Sequence, residues 1–477
     1  MAFPAPAPHP APTPVPCGVL DAMVKAYDIR GVVPDQLDEA VARSVGASFA
    51  VLVDARHAGG VVVGHDMRTS SPSLAAAFAE GVTSQGADVV VIGLASTDEL
   101  YFASGHLGVP GAMFTASHNP ARYNGIKLCR AGAAPVGRDS GLAEIRAHLA
   151  DPSTLPAYDG AAGVVTHRDL LEAYASHLRG LVDLSGARPL TVVIDAGNGM
   201  GGYTAPTVFA GLPVTVIPLY FELDGTFPHH EANPIDPANL VDLQAGVRAH
   251  EADLGLAFDG DADRCFVVDE RGQAVSPSTL AALIAVRELD RHPGSTVIHN
   301  LITSRAVPEV IREHGGIPVR TRVGHSFIKA EMARTGAVFG GEHSGHFYFR
   351  DFWRADSGML AALHVLAELA AAPAGTTLSS LLVGYQRYAD SGEINTTAAD
   401  PVAVSASVEA AYAGRSAVEV DHLDGLTVSA PDWWFNLRAS NTEPLLRLNV
   451  EADTATQMAG VRDDVLALVR SALAGAA

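Results

Sequence analysis

Lysine is nearly absent from this chain. Of 32 Lys and Arg residues among 477, only Lys25, Lys127 and Lys329 are lysines. Arginine serves almost every ordinary surface cation. Positions that keep lysine are therefore candidates for a compact ammonium whose pKa can be shifted, which a guanidinium cannot supply. Positive charge of any kind is short. A net charge of −21 argues against nucleic acid or an anionic membrane as partner. An anionic small molecule can still bind, but only through a local basic cluster. Cysteine is scarce too. Cys17, Cys129 and Cys265 are odd in number and lack metal-ligand spacing, which excludes a disulfide framework and fits a reducing, cytoplasmic setting. No apolar run reaches membrane-spanning length. The best candidate, 359–372, contains His364 and Glu368 and is expected to be a buried helix. Residues 2–16 alternate Pro with small residues and lack a basic start and an apolar stretch. A disordered tail over 1–18 is expected, not a signal peptide.

What is present supports large cores, with 48% apolar residues and length for about three or four domains. A weak internal repeat runs through the chain. An apolar strand at 61–66, 191–195 and 296–300 is followed each time by a polar loop, a helix, glycine and a second apolar strand. This reads as βαβ units with right-handed crossovers and a mainly parallel, doubly covered sheet. Loops leaving the strand C-termini are where such sheets place ligands. The last ninety or so residues differ, reading as strand, helix, three strands and a final amphipathic helix. They form an α+β domain with an antiparallel sheet. The expected organisation is α/β overall, with domains at 19–160, 161–272, 273–385 and 386–477.

The sharpest chemical signal is Asp259-Gly260-Asp261-Ala262-Asp263-Arg264. Alternation lets a turn aim three carboxylates one way, and oxygen-only ligands select a hard divalent ion such as Mg²⁺. A solvated acidic turn is the plain alternative. A calcium EF-hand loop is a second, since Glu270 is twelfth counting from Asp259. It fails because Arg264 stands where that loop needs Gly and because the flanks read as short buried strands.

Four more segments carry polar chemistry. Thr115-Ala116-Ser117-His118-Asn119-Pro120 suits an exposed loop at a strand end, with a nucleophilic serine or a capped turn as readings. The hydrolase elbow Gly-x-Ser-x-Gly is absent. Segments 123–127 and 324–329 each end on one of the rare lysines. The glycine-framed loop 340–346 has polar side chains that could hydrogen-bond sugar hydroxyls. A metal site from His343, His346 and Glu342 is the rival reading. Arg438-Ala439-Ser440-Asn441-Thr442-Glu443-Pro444 makes either a phosphate cradle or a hairpin turn. No lysine follows a glycine, so a Walker A nucleotide loop is excluded.

Taken in order, segments 26–31, 115–120, 259–264, 341–346 and 438–444 resemble the α-D-phosphohexomutase superfamily, most closely its bacterial phosphomannomutase/phosphoglucomutase branch. The resemblance implies four domains around a central cleft, three similar mixed or parallel α/β domains and the α+β domain. It implies that Ser117 carries a phosphoryl group. Asp259, Asp261 and Asp263 hold one Mg²⁺ together with a phosphoserine oxygen. Glu342, Ser344 and His346 read the sugar, and Arg438, Ser440, Asn441 and Thr442 grip the phosphate that is not transferred. Arg30, Arg264, His118, Lys127 and His325 surround the reacting groups, while Tyr27 and Lys329 join the substrate-binding set. Lys127 or a nearby histidine is the general base. Ala116 and Ala262 stand where many members have Gly. Asn441 and His343 depart from the glucosamine branch.

The implied activity is reversible conversion of a hexose 6-phosphate to its 1-phosphate, mannose or glucose, with hexose 1,6-bisphosphate as activator and intermediate. Phosphoryl transfer needs positioning and charge neutralisation, which one Mg²⁺, Arg264 and Lys127 supply in an acidic protein. A cytoplasmic monomer or weak homodimer is expected, with a phosphosugar as partner. Alternatives are a phosphoglucosamine mutase, a serine-dependent sugar-phosphate phosphatase, or a binding protein without turnover.

Overall fold

The computed structural model describes residues 13–439 and 445–475. They group into two compact units. The first holds residues up to Tyr174 together with Leu223–Glu231, and the second holds Ala175–Glu222 and Ala232 onward.

The first unit is built on a seven-stranded mixed sheet. Its centre is the apolar strand Val61–His65, flanked in parallel by Val89–Leu94 and Gly111–Phe114. Tyr123–Arg130 returns antiparallel beside Gly111–Phe114, and Ile29–Val32 closes that edge. Val61, Val62 and Val63 are fully buried, as a strand covered on both faces requires. The helices start where the sequence supplies caps. Asp38 accepts from the Val41 amide to open Glu39–Leu52, and Ser96 accepts from the Glu99 amide to open Thr97–Leu107. The later part of the expected 1–18 tail is ordered. Cys17–Met23 is a helix, the Val15 amide donates to Leu149 O at 2.9 Å, and Leu20 and Met23 are fully buried. Burial of those two apolar side chains orders the segment. Residues 1–12 lie outside the described residues.

The second unit carries three five-stranded sheets. In the first of these, Leu190–Asp195 lies parallel to Val214–Leu219 and Leu254–Phe258, and Cys265–Asp269 turns back antiparallel. In the next, Thr296–Asn300 lies parallel to Ile317–Thr321 and Phe339–Gly341, with Phe347–Phe349 and Ala355–Asp356 antiparallel beyond. The repeated strand–helix–strand units are therefore present, but each sheet ends in antiparallel strands. The last sheet is wholly antiparallel. Helices Pro401–Tyr412 and Ala455–Gly475 supply Val404, Val408, Val465 and Val469 to its core with Phe435, Leu437 and Leu448.

Arg305 fastens the last two sheets together. Its guanidinium donates to Ala430 O and Trp433 O, both at 2.6 Å, and its amide donates to Glu451 Oε1. Gly358–Ala371, the expected buried helix, has most of its residues buried. Among the described residues no helix is long and apolar enough to cross a membrane.

Candidate active site

In the first unit, Ser117 follows the buried strand Gly111–Phe114. It is 4% exposed, and its φ is +51°. Its amide donates to Thr115 Oγ1 at 2.9 Å, and its Oγ lies 3.2 Å from His118 Nδ1. The turn closes with Asn119 N on Ala116 O and Tyr123 N on Pro120 O. Arg30 reaches this turn. Its strand pairs Arg30 with Gly125, and its guanidinium donates to Asn119 Oδ1 and pairs with Asp28 at 2.5 Å. Tyr27 stands in the bend just before that strand. Lys127 lies two residues past Gly125, in register with Met113. Arg30, Ser117 and His118 thus meet at one end of the sheet, whereas Lys127 lies farther along its strand opposite Met113 and Tyr27 precedes Ile29, which pairs with Ile126.

Arg68 was not foreseen. Its guanidinium is buried and donates to the carbonyls of Ser117, Asn119, Pro120 and Tyr123 at 2.7–3.0 Å, with Nε on Asp66 at 3.2 Å. The available signal was Asp66-Met67-Arg68 directly after a parallel strand, where α/β sheets place functional loops.

In the second unit, Asp259-Gly260-Asp261-Ala262-Asp263-Arg264 is the turn between the antiparallel strands Leu254–Phe258 and Cys265–Asp269. Ala262 takes a positive φ of +60°. Asp259, Asp261 and Asp263 are at most 1% exposed, and an oxygen from each lies within 4.8 Å of the others. Arg264 is 3% exposed and donates to Asp259 at 2.8 Å. Burial works against its charge, but Asp259, Asp263 and Asp261 outweigh burial and hold it above the usual arginine range. One guanidinium against three carboxylates leaves an excess of negative charge. Buried, convergent and oxygen-only, the set fits a hard divalent cation. The start of the Gly358 helix abuts this turn. A Cβ on Gly358 would lie 2.7 Å from Arg264 O and 2.8 Å from Ala262 O, so only glycine fits.

The loop between Phe339–Gly341 and Phe347–Phe349 is stitched to the carboxylate turn. Arg264 and His346 form a backbone bridge, and Cys265 N donates to Gly345 O. Glu342 is 2% exposed. Its Oε1 accepts from Gly324 N at 3.1 Å, and its Oε2 accepts from Ser344 Oγ at 2.9 Å and Tyr348 OH at 3.3 Å. His346 Nδ1 lies 2.9 Å from Asp356 and 3.8 Å from Asp263. Burial disfavours its imidazolium, but Asp263 and Asp356 raise it above the ordinary histidine value.

Asp356, another residue sequence reasoning missed, also binds the Lys329 ammonium at 2.8 Å. Burial opposes its charge, yet Lys329 and His346 hold it well below the usual carboxylate range. His325 opens the helix His325–Thr335 and stands one turn before Lys329. The rival His343–His346–Glu342 metal site does not form. Among the described residues the clusters able to hold a metal are Asp259/Asp261/Asp263 and Asp263/His346/Asp356. His343 instead meets Ser278 Oγ at 3.0 Å, and burial lowers its pKa.

Arg438 lies on the strand Trp433–Ala439, 5% exposed, directly across from Arg447. Glu393 pairs with both, at 3.1 and 3.4 Å. Burial pulls the Arg438 pKa down against the support of Glu393. Ser440, Asn441 and Thr442 lie outside the described residues.

Comparison with known proteins follows the same order of parts. Four domain families described as phosphoglucomutase/phosphomannomutase match the chain. Alpha/beta/alpha domains I, II and III match at 21–154, 172–272 and 276–388, and the C-terminal domain matches at 393–468. A phosphomannomutase of Escherichia coli is 41% identical over 457 residues, covering 94% of this chain and 98% of the relative. A protein named phosphohexose mutases from Xanthomonas campestris pv. campestris is 43% identical over 433 residues, covering 90% and 94%. A crystal structure of a phosphoglucomutase/phosphomannomutase family protein from Burkholderia thailandensis superposes with a TM-score of 0.86 at 34% identity, over 94% of this chain and 97% of that one. The fold is also shared, at 15% identity and a TM-score of 0.61 over 96% and 99% of the two chains, with an Aspergillus fumigatus N-acetylphosphoglucosamine mutase solved with GlcNAc-6P and magnesium. Four domain matches in order, and identity above 40% over nine-tenths of the length, establish that the chain belongs to the phosphoglucomutase/phosphomannomutase family.

Proposed function

We propose that this protein interconverts hexose 6-phosphate and hexose 1-phosphate, with mannose and glucose as sugars, through phosphorylated Ser117 and hexose 1,6-bisphosphate. One arrangement carries the reading. A buried oxygen-only cluster is stitched, through His346, to a loop whose Glu342 and Ser344 suit sugar hydroxyls. The names of the relatives agree with it.

The phosphoryl group leaves Ser117 Oγ as its bond to a sugar oxygen forms. The proton of that sugar hydroxyl passes to a base, for which Lys127, His118 and His325 are the candidates. His118 Nδ1, 3.2 Å from Ser117 Oγ, is placed to hold a proton on the serine side. The resulting bisphosphate turns end for end and returns its other phosphoryl group to Ser117. Arg438, Ser440, Asn441 and Thr442 would hold the phosphate not being transferred. Asp259, Asp261 and Asp263, with an oxygen of the Ser117 phosphate, would hold Mg²⁺. When bound, that ion neutralises charge on the oxygens of the transferring group. Arg264, pinned by Asp259, adds a fixed positive charge beside the cluster.

Product analysis tests the proposal. Mannose 1-phosphate or glucose 1-phosphate with Mg²⁺ and a trace of bisphosphate should yield the 6-phosphate. Free phosphate would make the protein a phosphatase, and no product would make it a binding protein. Ser117→Ala should fold normally and lose nearly all activity.

A further inference from the structure

Four backbone carbonyls of the Ser117 turn are held by one buried side chain, and that side chain is itself held by a remote piece of chain. Arg68 gives both Nη groups to the 117–123 turn, Nη2 to Ser117 O and Asn119 O, Nη1 to Pro120 O and Tyr123 O. Its edge rests on Asp66 at 3.2 Å. Only a planar guanidinium has the donors and rigidity to serve that many fixed acceptors, so its plane sets the shape of the turn.

Residues Leu223–Glu231 fold with this first unit although the chain on either side of them belongs to the second. There the Phe227 ring covers the guanidinium, with 5.1 Å from Arg68 Cζ to the ring centroid. Gly225 presses so near that a Cβ would lie 2.7 Å from Arg68 Cα. The turn presenting the ring is purpose-built. Asp224 Oδ1 accepts from Thr226 N and Oγ1, Phe227 N donates to Asp224 O, and Phe227 takes a φ of +52°. An aromatic residue is an outlier at that φ, and strain of this kind persists only where the surroundings hold it in place.

We propose that Phe227 and Gly225 are positioning residues for Ser117, acting through Arg68. The hydrogen bonds fix the guanidinium at its edges and the ring fixes its face. Together they hold the 117–123 carbonyls, and hence the serine Oγ, in place for phosphoryl transfer. This rests on Ser117 as the phosphoryl carrier.

Rapid-quench labelling of the full-length enzyme with hexose 1,6-bisphosphate phosphorylated with ³²P tests it. Phe227→Ala should slow Ser117 labelling by roughly thirtyfold or more, since misplacement of about 1 Å costs on the order of a hundredfold. KM for the hexose phosphate should stay within about twofold, because the strap acts on the serine turn through Arg68. Phe227→Leu keeps the apolar bulk and loses the π face. It should fold with an unchanged melting temperature and label about tenfold slower. Gly225→Ala should also label slowly. Wild-type enzyme that never labels at Ser117 would overturn the phosphoserine reading itself. Wild-type labelling with Phe227→Leu and Gly225→Ala equally fast would overturn only the strap. So would a loss of rate in Phe227→Leu that merely tracks the fraction of unfolded protein.

Discussion

The Lys329 ammonium lies 2.8 Å from the Asp356 carboxylate, with both side chains at most 3% exposed. The other oxygen of Asp356 meets His346 Nδ1 at 2.9 Å. One of the three lysines of the chain therefore supports the histidine that joins the loop before Phe347–Phe349 to the carboxylate cluster.

Breaking that pair from one side strands a buried charge. Lys329→Met and Asp356→Asn should each cost roughly 3–5 kcal/mol of stability, whereas the double variant should cost well below the sum. A urea-unfolding double-mutant cycle checks this. Asp356→Asn should also lower kcat, since His346 loses its orienting carboxylate.

Asp261→Asn removes one fully buried carboxylate from the cluster. Mg²⁺ should raise the melting temperature of the wild type by mass action and raise that of the variant far less. Calorimetric Mg²⁺ affinity and turnover should fall together. Full activity in EDTA-treated enzyme, with metal content verified, would remove the metal from the reaction.

Glu99 gives the fold a pH dependence. Burial, reinforced by Asp98, pushes its carboxyl up to about 8. Asp98 is itself occupied by Tyr174 OH at 2.7 Å. The native state therefore keeps a proton that the unfolded chain releases above its ordinary value of 4.5. The associated stability is complete below that value and is lost as pH rises toward 8, by up to about 1.4 kcal/mol per pH unit. Glu99→Gln should flatten this fall in unfolding curves taken between pH 5 and 8, and should be the more stable form at pH 8.

Arg438→Ala and Lys127→Ala should part in their kinetics. Arg438 would grip a phosphate present in ground and transition states alike, so its loss should raise KM by tenfold or so with a smaller change in kcat. Lys127 would act where a proton or charge moves, so its loss should fall mainly on kcat. The reverse pattern would exchange the two roles.

Both mannose 1-phosphate and glucose 1-phosphate should be turned over with efficiencies within about a hundredfold. Glu342 and Ser344 suit hydroxyls that both sugars share, and the sugars differ only at C2. Glu342→Gln should impair both alike. An effect confined to one sugar would show that this loop reads C2.

The legible parts of the site were those whose chemistry is contiguous. Asp259, Asp261 and Asp263 announce themselves by alternation, and the hairpin that presents them follows from its apolar flanks. Arg68 was hidden because its role depends on carbonyls some fifty residues away, and backbone acceptors leave no trace in a sequence. Asp356 was hidden in the same way, since its partners Lys329 and His346 come from a helix and a loop that only folding assembles. The rarity of Lys329 did flag it, but sequence alone could not tell an exposed ammonium from a buried one. In the fold, long apolar strands such as Val61–His65 were plain. Short edge strands such as Val165–His167 and Ala355–Asp356 were not, because two or three residues carry no periodicity.

The positive φ of Ser117 narrows which amino acid can occupy that position at all. Threonine bears the same hydroxyl and forms the same phosphate ester, and on chemistry alone the two are interchangeable. At φ +51° the extra methyl of a β-branched residue has no comfortable place. The twist of the backbone thus selects serine over threonine at this position before reactivity is consulted. A drift from serine to threonine, among the mildest exchanges elsewhere in a protein, would here meet a steric barrier along its evolutionary path.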